Sequence, residues 1–289
     1  MRPRPRPATA GGLGAPLTER RARSGNLRTR GVTVRSWGQQ PDGPADGRYA
    51  VQLTDVTKRY GDGPSAVLAL DKVDAGIAAG TFTAVMGPSG SGKSTFLHCA
   101  AGLDRPTSGV VRLGAQDLST LKERRLTELR RTRIGFVFQA FNLLPSLTVE
   151  QNITLPLRLA GRQADADWFD HIVKAVDLGD RLARFPAQLS GGQQQRVAIA
   201  RALVTRPEVI FADEPTGALD PETARDILGL LRQAVTDLHQ TVVMVTHDPV
   251  AAAHTDHALF LSSGHLVDAL AEPSADRVAE VMAGLRRAS

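Results

Sequence analysis

The sequence predicts an α/β fold built on a mostly parallel sheet, with an antiparallel β subdomain and a helical subdomain attached. Three observations predict it. From Tyr49 onward, short β-rich runs alternate with helical patterns, the order that builds parallel sheets. The earliest runs have no helix between them, as antiparallel neighbours would not. Between residues 140 and 205 the patterning is helical throughout, with no convincing strand.

The strand series begins with VQLTDV and TFTAVMG, is followed by a helix after Lys93, and continues with GVVRLG. A helix after Ser119 leads into IGFVFQ, which ends at Gln139. Thr120 and Glu123 have the spacing of a capping box for that helix, and Arg124, Arg125, Arg130 and Arg131 read as its solvated face. Residues 148–160, 164–178 and 192–205 are the helices of the insertion. The series then resumes with VIFADE, a helix after Pro221, TVVMVTH and the closing pair ALFLSSGHLV. The segmentation is therefore 1–48, 49–272 and a helical tail over 273–289. No internal repeat is present, so one chain carries one nucleotide-binding unit.

Composition sets bounds on this picture. The 289 residues are 42% apolar, enough for a substantial core. The single Cys99 excludes an internal disulfide and a cysteine-built metal site, and it reads as a small buried hydrophobe. No run approaches the roughly 20 apolar residues that span a bilayer. A membrane role would have to come through a partner. Of the net charge of +5, residues 1–48 supply ten Arg against Glu19, Asp42 and Asp46, so the remainder sums to −2. That near-neutral body lacks the basic, aromatic-interleaved surface of a nucleic-acid binder, and no nucleic-acid partner is expected. The Pro-, Gly- and Arg-rich stretch 1–48 is expected to be disordered. It reads either as a polybasic arm for anionic lipid head groups or as a dispensable extension.

Chemistry enters at GPSGSGKST, which places Gly87, Pro88, Ser89, Gly90, Ser91, Gly92, Lys93, Ser94 and Thr95 in a loop of the form G-x-x-x-x-G-K-[ST]. Glycines let the backbone wrap phosphates, and the amides point inward at a helix N-terminus. Lys93 would reach the β- and γ-phosphates of a nucleoside triphosphate, and Ser94 would place its hydroxyl on Mg²⁺. The loop follows an apolar strand and precedes a helix, as the motif requires. This is the phosphate loop of a P-loop NTPase core. Such a loop needs a second acid at the end of a buried strand, and VIFADE delivers Asp213 there. Asp213 is the expected Mg²⁺ acid. Glu214 follows it and would be aimed at the attacking water as general base.

At LSGGQQQRVAIARAL the chain comes to resemble the ATP-binding cassette (ABC) ATPases, for which LSGGQ is the signature. Ser190, Gly191, Gly192 and Gln193 would form a second anion cradle at a helix N-terminus. Other positions match the family's pattern. Gln139 matches a glutamine that contacts Mg²⁺ and water, and His247 a switch histidine that contacts the γ-phosphate. Residues 217–220, ending in Asp220, match a loop at a dimer interface. Tyr60 matches an aromatic that stacks on the base, though a tyrosine before a glycine turn also serves as strand-end packing. The histidines His98, His171 and His254 read as structural or surface residues. The resemblance covers roughly residues 49–270, and FADEPTGALD with RIGFVFQAFNLLPSLTVEQNITLPL is most similar to the branch of lipoprotein-releasing, macrolide-efflux and antimicrobial-peptide export ATPases.

The resemblance implies an Mg²⁺-dependent ATPase that pairs head to tail with a second cassette, as a homodimer, and powers a separate transmembrane permease. It would sit peripherally on the cytoplasmic side of the membrane. A regulatory ATPase that drives a membrane partner without transporting a substrate, as in cell division, stays open beside export. A soluble ABC protein of DNA repair or translation would need tandem cassettes or a long coiled-coil insertion, and this chain has neither.

Overall fold

The computed structural model describes residues 27–29, 32–34 and 49–288. In chain order its first elements are β1 (Leu27–Thr29), β2 (Val32–Val34), β3 (Tyr49–Tyr60), β4 (Val67–Ala78), β5 (Phe82–Met86) and α1 (Lys93–Ala100). There follow β6 (Ser108–Leu113), β7 (Gln116–Asp117), α2 (Glu123–Arg133), β8 (Ile134–Phe138), α3 (Val149–Leu159), α4 (Ala166–Ala175) and α5 (Gly191–Leu203). The chain closes with β9 (Val209–Asp213), α6 (Pro221–Thr236), β10 (Val242–Val245), α7 (Pro249–Ala252), β11 (His257–Ser262), β12 (His265–Ala271) and α8 (Ala275–Ala288).

Two six-stranded sheets result. One runs β12-β11-β5-β10-β9-β8 and is parallel except for the edge pair β11–β12. The other runs β1-β2-β4-β3-β6-β7 and is antiparallel throughout. Central strands of the parallel sheet are almost wholly apolar, Thr83 and the terminal Asp213 apart, because both of their faces are covered. The period of two along each strand divides them between two cores. Phe82, Ala84, Ile210, Ala212, Val242 and Met244 pack against the helices on one face. Val85, Val209, Phe211, Val243 and Val245 pack on the other, against β3, β4, β6 and α1. Cys99 lies in that second core, where burial pushes its thiol up to about 12.

Four expectations need correcting. β4 was absent from the strand series, because VLALDKVDAG interrupts its apolar residues with Asp71, Lys72 and Asp74. Left-handed backbone at Lys72 (φ 48°) and register shifts against β3 absorb those residues. The Thr120–Glu123 capping box does not form: Thr120 falls in a turn closed by the bond from the Leu121 amide to the Leu118 carbonyl, and Lys122 is the N-cap. Glu123 instead accepts from Arg130. Nor is Arg130 solvated, since it also donates to the Gly102 carbonyl at 2.6 Å and holds α2 to the end of α1. Finally, the disorder expected over 1–48 does not extend to β1 and β2: β1 pairs with β2, and β2 with β4. The other residues of that stretch lie outside the described residues.

Candidate nucleotide site

The phosphate loop leaves the buried strand β5 at Met86 and enters α1 at Lys93. Its glycines meet distinct demands. At Gly87 a Cβ would lie 2.2 Å from the Leu261 carbonyl oxygen, and at Gly92 (φ +102°) 2.3 Å from that of Ala69. Gly90 (φ +76°) has open space instead. The first helical bond of α1 runs from the Phe96 amide to the Gly92 carbonyl, and Gly92 offers no side-chain cap. The amides of Lys93, Ser94 and Thr95 are therefore without an intrahelical acceptor, which leaves them as donors for an anion. The Lys93 ammonium curls back to donate to the Gly87 and Pro88 carbonyls, each at 2.9 Å. Burial lowers its pKa, against the opposing pull of Glu214 and Asp213.

The parallel register sets the acids beside this loop. Val245 of β10 pairs with Val85 on one side and Asp213 on the other, and Asp213 pairs in turn with Phe138 of β8. The ends of four strands thus bring the phosphate loop, Asp213, Glu214, Gln139 and His247 to one edge, as open α/β sheets do. Burial, together with Glu214, raises the Asp213 carboxyl, while His98 and Lys93 oppose the rise. Strand geometry stops at Asp213: Glu214 is left-handed at φ 46°, a cost for a non-glycine residue, and its amide donates to the Val245 carbonyl at 2.9 Å. That turn brings its Oε1 to 2.8 Å from His247 Nδ1. A cavity of about 420 Å³ is lined by Gly87, Pro88, Ser89, Lys93, Glu214 and His247, with Met282 and Arg286 of α8 completing its wall.

The helical subdomain grips the same edge. Gln139 lies against the turn after Glu214, where a Cβ on Gly217 would come 2.9 Å from its Nε2. Gln195, fully buried in α5, donates from one Nε2 to the carbonyls of Phe138 (3.3 Å) and Pro215 (2.6 Å). Arg201 donates to the Phe141 and Asn142 carbonyls. Neither residue was singled out from sequence. Gln195 carried a usable signal, because it falls on the stripe Gly192, Gln195, Ala198, Ala202, the buried face of α5.

Other candidates lie away from the cavity. Tyr60 is 41% exposed, donates to Asp104 Oδ2 at 2.8 Å and carries the Lys58 ammonium 4.7 Å from its ring centre. The Thr95 hydroxyl also reaches it, which places the ring beside the first turn of α1. Ser190 and Gln193 form a capping box at the start of α5. Gly191 abuts Leu219 and Phe141, and a Cβ on Gly192 would lie 2.4 Å from Thr223 of α6. Asp220 caps α6 by accepting the Glu222 and Thr223 amides, and its bonds to Thr223 hold its carboxyl below the usual range. None of these residues lines the Lys93 cavity within this chain.

A second cavity of about 430 Å³ lies between α2, β8 and α3. Leu103, Phe136, Phe138, Leu155 and Leu159 line it, together with Arg201. It also takes in Asn142, from the loop after Gln139.

A phosphate loop, a half-buried acid two strands away and a parallel core between two further layers define a P-loop nucleotide-binding cassette. The family profile described as ABC transporter matches residues 70–217. The chain belongs to that family. It is 43% identical over 226 residues to the macrolide export ATP-binding/permease protein MacB of Marinobacter nauticus, covering 76% of this chain and 34% of that protein. It is 46% identical over 211 residues to the lipoprotein-releasing system ATP-binding protein LolD of Legionella pneumophila, covering 72% of this chain and 93% of the relative. A solved dimeric ATP-binding cassette in a post-hydrolysis state, bound to ADP and Pi, is 42% identical with a TM-score of 0.70, covering 77% of this chain and 98% of that one. The chain thus spans about a third of the length of the MacB relatives and most of the length of LolD.

Proposed function

We propose that this chain is an Mg²⁺-dependent ATPase whose cavity at Lys93, Glu214 and His247 hydrolyses ATP to ADP and phosphate to drive a membrane complex of the export or lipoprotein-release type. The observation that carries the reading is the 2.8 Å contact between Glu214 and His247 in the cavity lined by Lys93. In-line attack on a γ-phosphate needs a positioned water and cations around the transferred group. Glu214 accepts the proton of that water. His247 orients the carboxylate and contacts the γ-phosphate. Lys93 exchanges the carbonyls of Gly87 and Pro88 for phosphate oxygens, and the uncapped first turn of α1 supplies amides to the same anion. Tyr60, exposed beside Thr95, offers its ring to the base.

The donor set suits Mg²⁺ held jointly with phosphate. Among the described residues no three His, Cys, Asp or Glu side chains converge as a self-sufficient metal site. The one acid, Asp213, with the Ser94 hydroxyl and the Gln139 amide, matches a cation that keeps few protein ligands. These three residues would hold the ion, whose charge when bound offsets that of the phosphates.

Ser190, Gly191, Gly192, Gln193 and Asp220 face outside the cavity, and the solved relative is a dimer. In this proposal they close over the nucleotide of a second copy of this chain. Among the described residues no helix is long and apolar enough to cross a membrane. The apolar cavity at Phe136 and Leu159, whose Leu159 is 60% exposed, would receive a cytoplasmic helix of a separate permease, and Arg201 ties it to the loop after Gln139. Attachment would be peripheral, on the cytoplasmic face. The names of MacB and LolD support an export or extraction role.

Glu214→Gln tests the reading. Turnover should fall by about 10²- to 10⁴-fold, while ATP still binds and an ATP-trapped dimer accumulates on size exclusion. Near-normal phosphate release by that variant would remove Glu214 from the base role.

A further inference from the structure

Two walls of the nucleotide cavity, Met282 and Arg286, come from α8 and have no part in the mechanism above. α8 is firmly seated. Val278 is 0% exposed and Met282 4%, and both belong to the core on the helical face of the parallel sheet, with Val281 and Leu285 packed against it. These positions form one stripe of a helix. Arg286 follows Met282 by four residues and so continues that stripe by one turn. α8 packs against α7, which starts at Pro249, two residues after His247. Seating on α7 therefore delivers the last turn of α8 to the rim where His247 and Glu214 meet.

The remaining walls locate Arg286 within the site. Gly87, Pro88, Ser89, Lys93, Glu214 and His247 surround the terminal phosphate in the proposed mechanism, whereas Tyr60, at the base end, is not among the lining residues. Arg277, on the same helix, is paired with Glu280 at 2.7 Å. Among the described residues Arg286 has no ion-pair partner and is exposed to the cavity. A guanidinium so placed is an unneutralised fork of donors facing the position of a phosphate, the geometry in which arginine binds phosphate bidentately.

We propose that Arg286 is a further phosphate-binding residue, through which the C-terminal helix contacts the terminal phosphate of the bound nucleotide in the same chain. The proposal rests on the nucleotide-site reading above. It makes α8 a part of the site that senses the γ-phosphate, since its arginine approaches from the His247 side and not through the loop amides. ATP and ADP should therefore be distinguished by it.

Equilibrium binding of ATP and of ADP, each with Mg²⁺, to the full chain tests this with Arg286→Ala, Arg286→Lys and Arg286→Glu, and with Lys93→Ala as reference. Arg286→Ala should weaken ATP binding by about fivefold to twentyfold, as expected for a charge-assisted contact at a solvent-facing rim, and change ADP binding by less than about twofold. Arg286→Lys should recover part of the loss, and Arg286→Glu should deepen it. Unchanged ATP affinity in both the Ala and Glu variants overturns the proposal, as does tighter ATP binding, which would mark the side chain as an obstruction. Equal losses for ATP and ADP overturn its assignment to the terminal phosphate. If Lys93→Ala also leaves both affinities unchanged, the nucleotide-site reading itself fails; if only Lys93→Ala weakens binding, the role of Arg286 alone is lost.

Discussion

Replacing Gly92 with alanine should destabilise the protein far more than replacing Gly90, although both glycines sit in one loop at positive φ. At Gly92 (φ +102°) the new Cβ would lie 2.3 Å from the Ala69 carbonyl oxygen of β4, a backbone atom that cannot rotate away. At Gly90 (φ +76°) nothing lies within 4 Å. The backbone cost of an L-residue at such φ is about 1–3 kcal/mol. Forcing the loop away from β4 adds an overpacking cost of about 1–3 kcal/mol. Gly92→Ala should thus lose roughly 2–6 kcal/mol, a large share of a typical domain's stability, and Gly90→Ala roughly 1–3 kcal/mol from backbone strain alone. Urea unfolding without nucleotide, followed by far-UV circular dichroism and tryptophan fluorescence, measures both. Equal losses for the two variants would refute the argument, because the contact with Ala69 would then be immaterial.

Gln195→Leu keeps the volume of α5 but leaves the Phe138 and Pro215 carbonyls without their donor. Its thermal midpoint should drop by an amount equivalent to about 1–3 kcal/mol, with slower ATP turnover, and an unaltered midpoint would mean that the two strand ends are held by other contacts. Asp256 accepts the Phe82 amide at 2.8 Å and the Arg232 guanidinium at 2.6 Å. Burial alone would raise its carboxyl, but Arg232 and the Phe82 amide outweigh that and hold it below the ordinary value. A depressed folded-state value stabilises the ionised form, so the contribution is complete above the unfolded value near ~3.9 and is lost as pH falls through the folded one. Asp256→Asn should accordingly cost about 1–2 kcal/mol at pH 7 and show a shallower loss of urea stability on acidification than the parent chain; parallel pH profiles would contradict the assignment.

Much of the site was legible because its parts are local. The phosphate loop needs glycines, a lysine and a hydroxyl within nine consecutive residues, and Asp213 is announced by the apolar run ahead of it. The helix starts at Thr148 and Ser190 are likewise local, each closed by a glutamine three residues on. Long-range contacts leave weaker traces. β4 carries charged residues in a strand whose register slips, so its period does not show. Glu123 has the spacing of a cap yet serves Arg130, seven residues along the helix. Gln195 stands in a run of three glutamines, and its place on the buried stripe does not say that the fold brings carbonyls from two different strand ends within reach of it.

By itself the sequence determined the class of the protein and the residue types of its candidate site, because a phosphate loop and a strand-end acid are written in residues that are neighbours along the chain. Only the tertiary structure decided which groups share a cavity. It set His247 on Glu214 through the parallel register of β9 and β10, and left the Ser190 turn outside the Lys93 cavity. It also carried Arg286, 193 positions beyond Lys93, to the same wall. That last juxtaposition has no signature in spacing, since it depends on how one apolar stripe of α8 settles on α7.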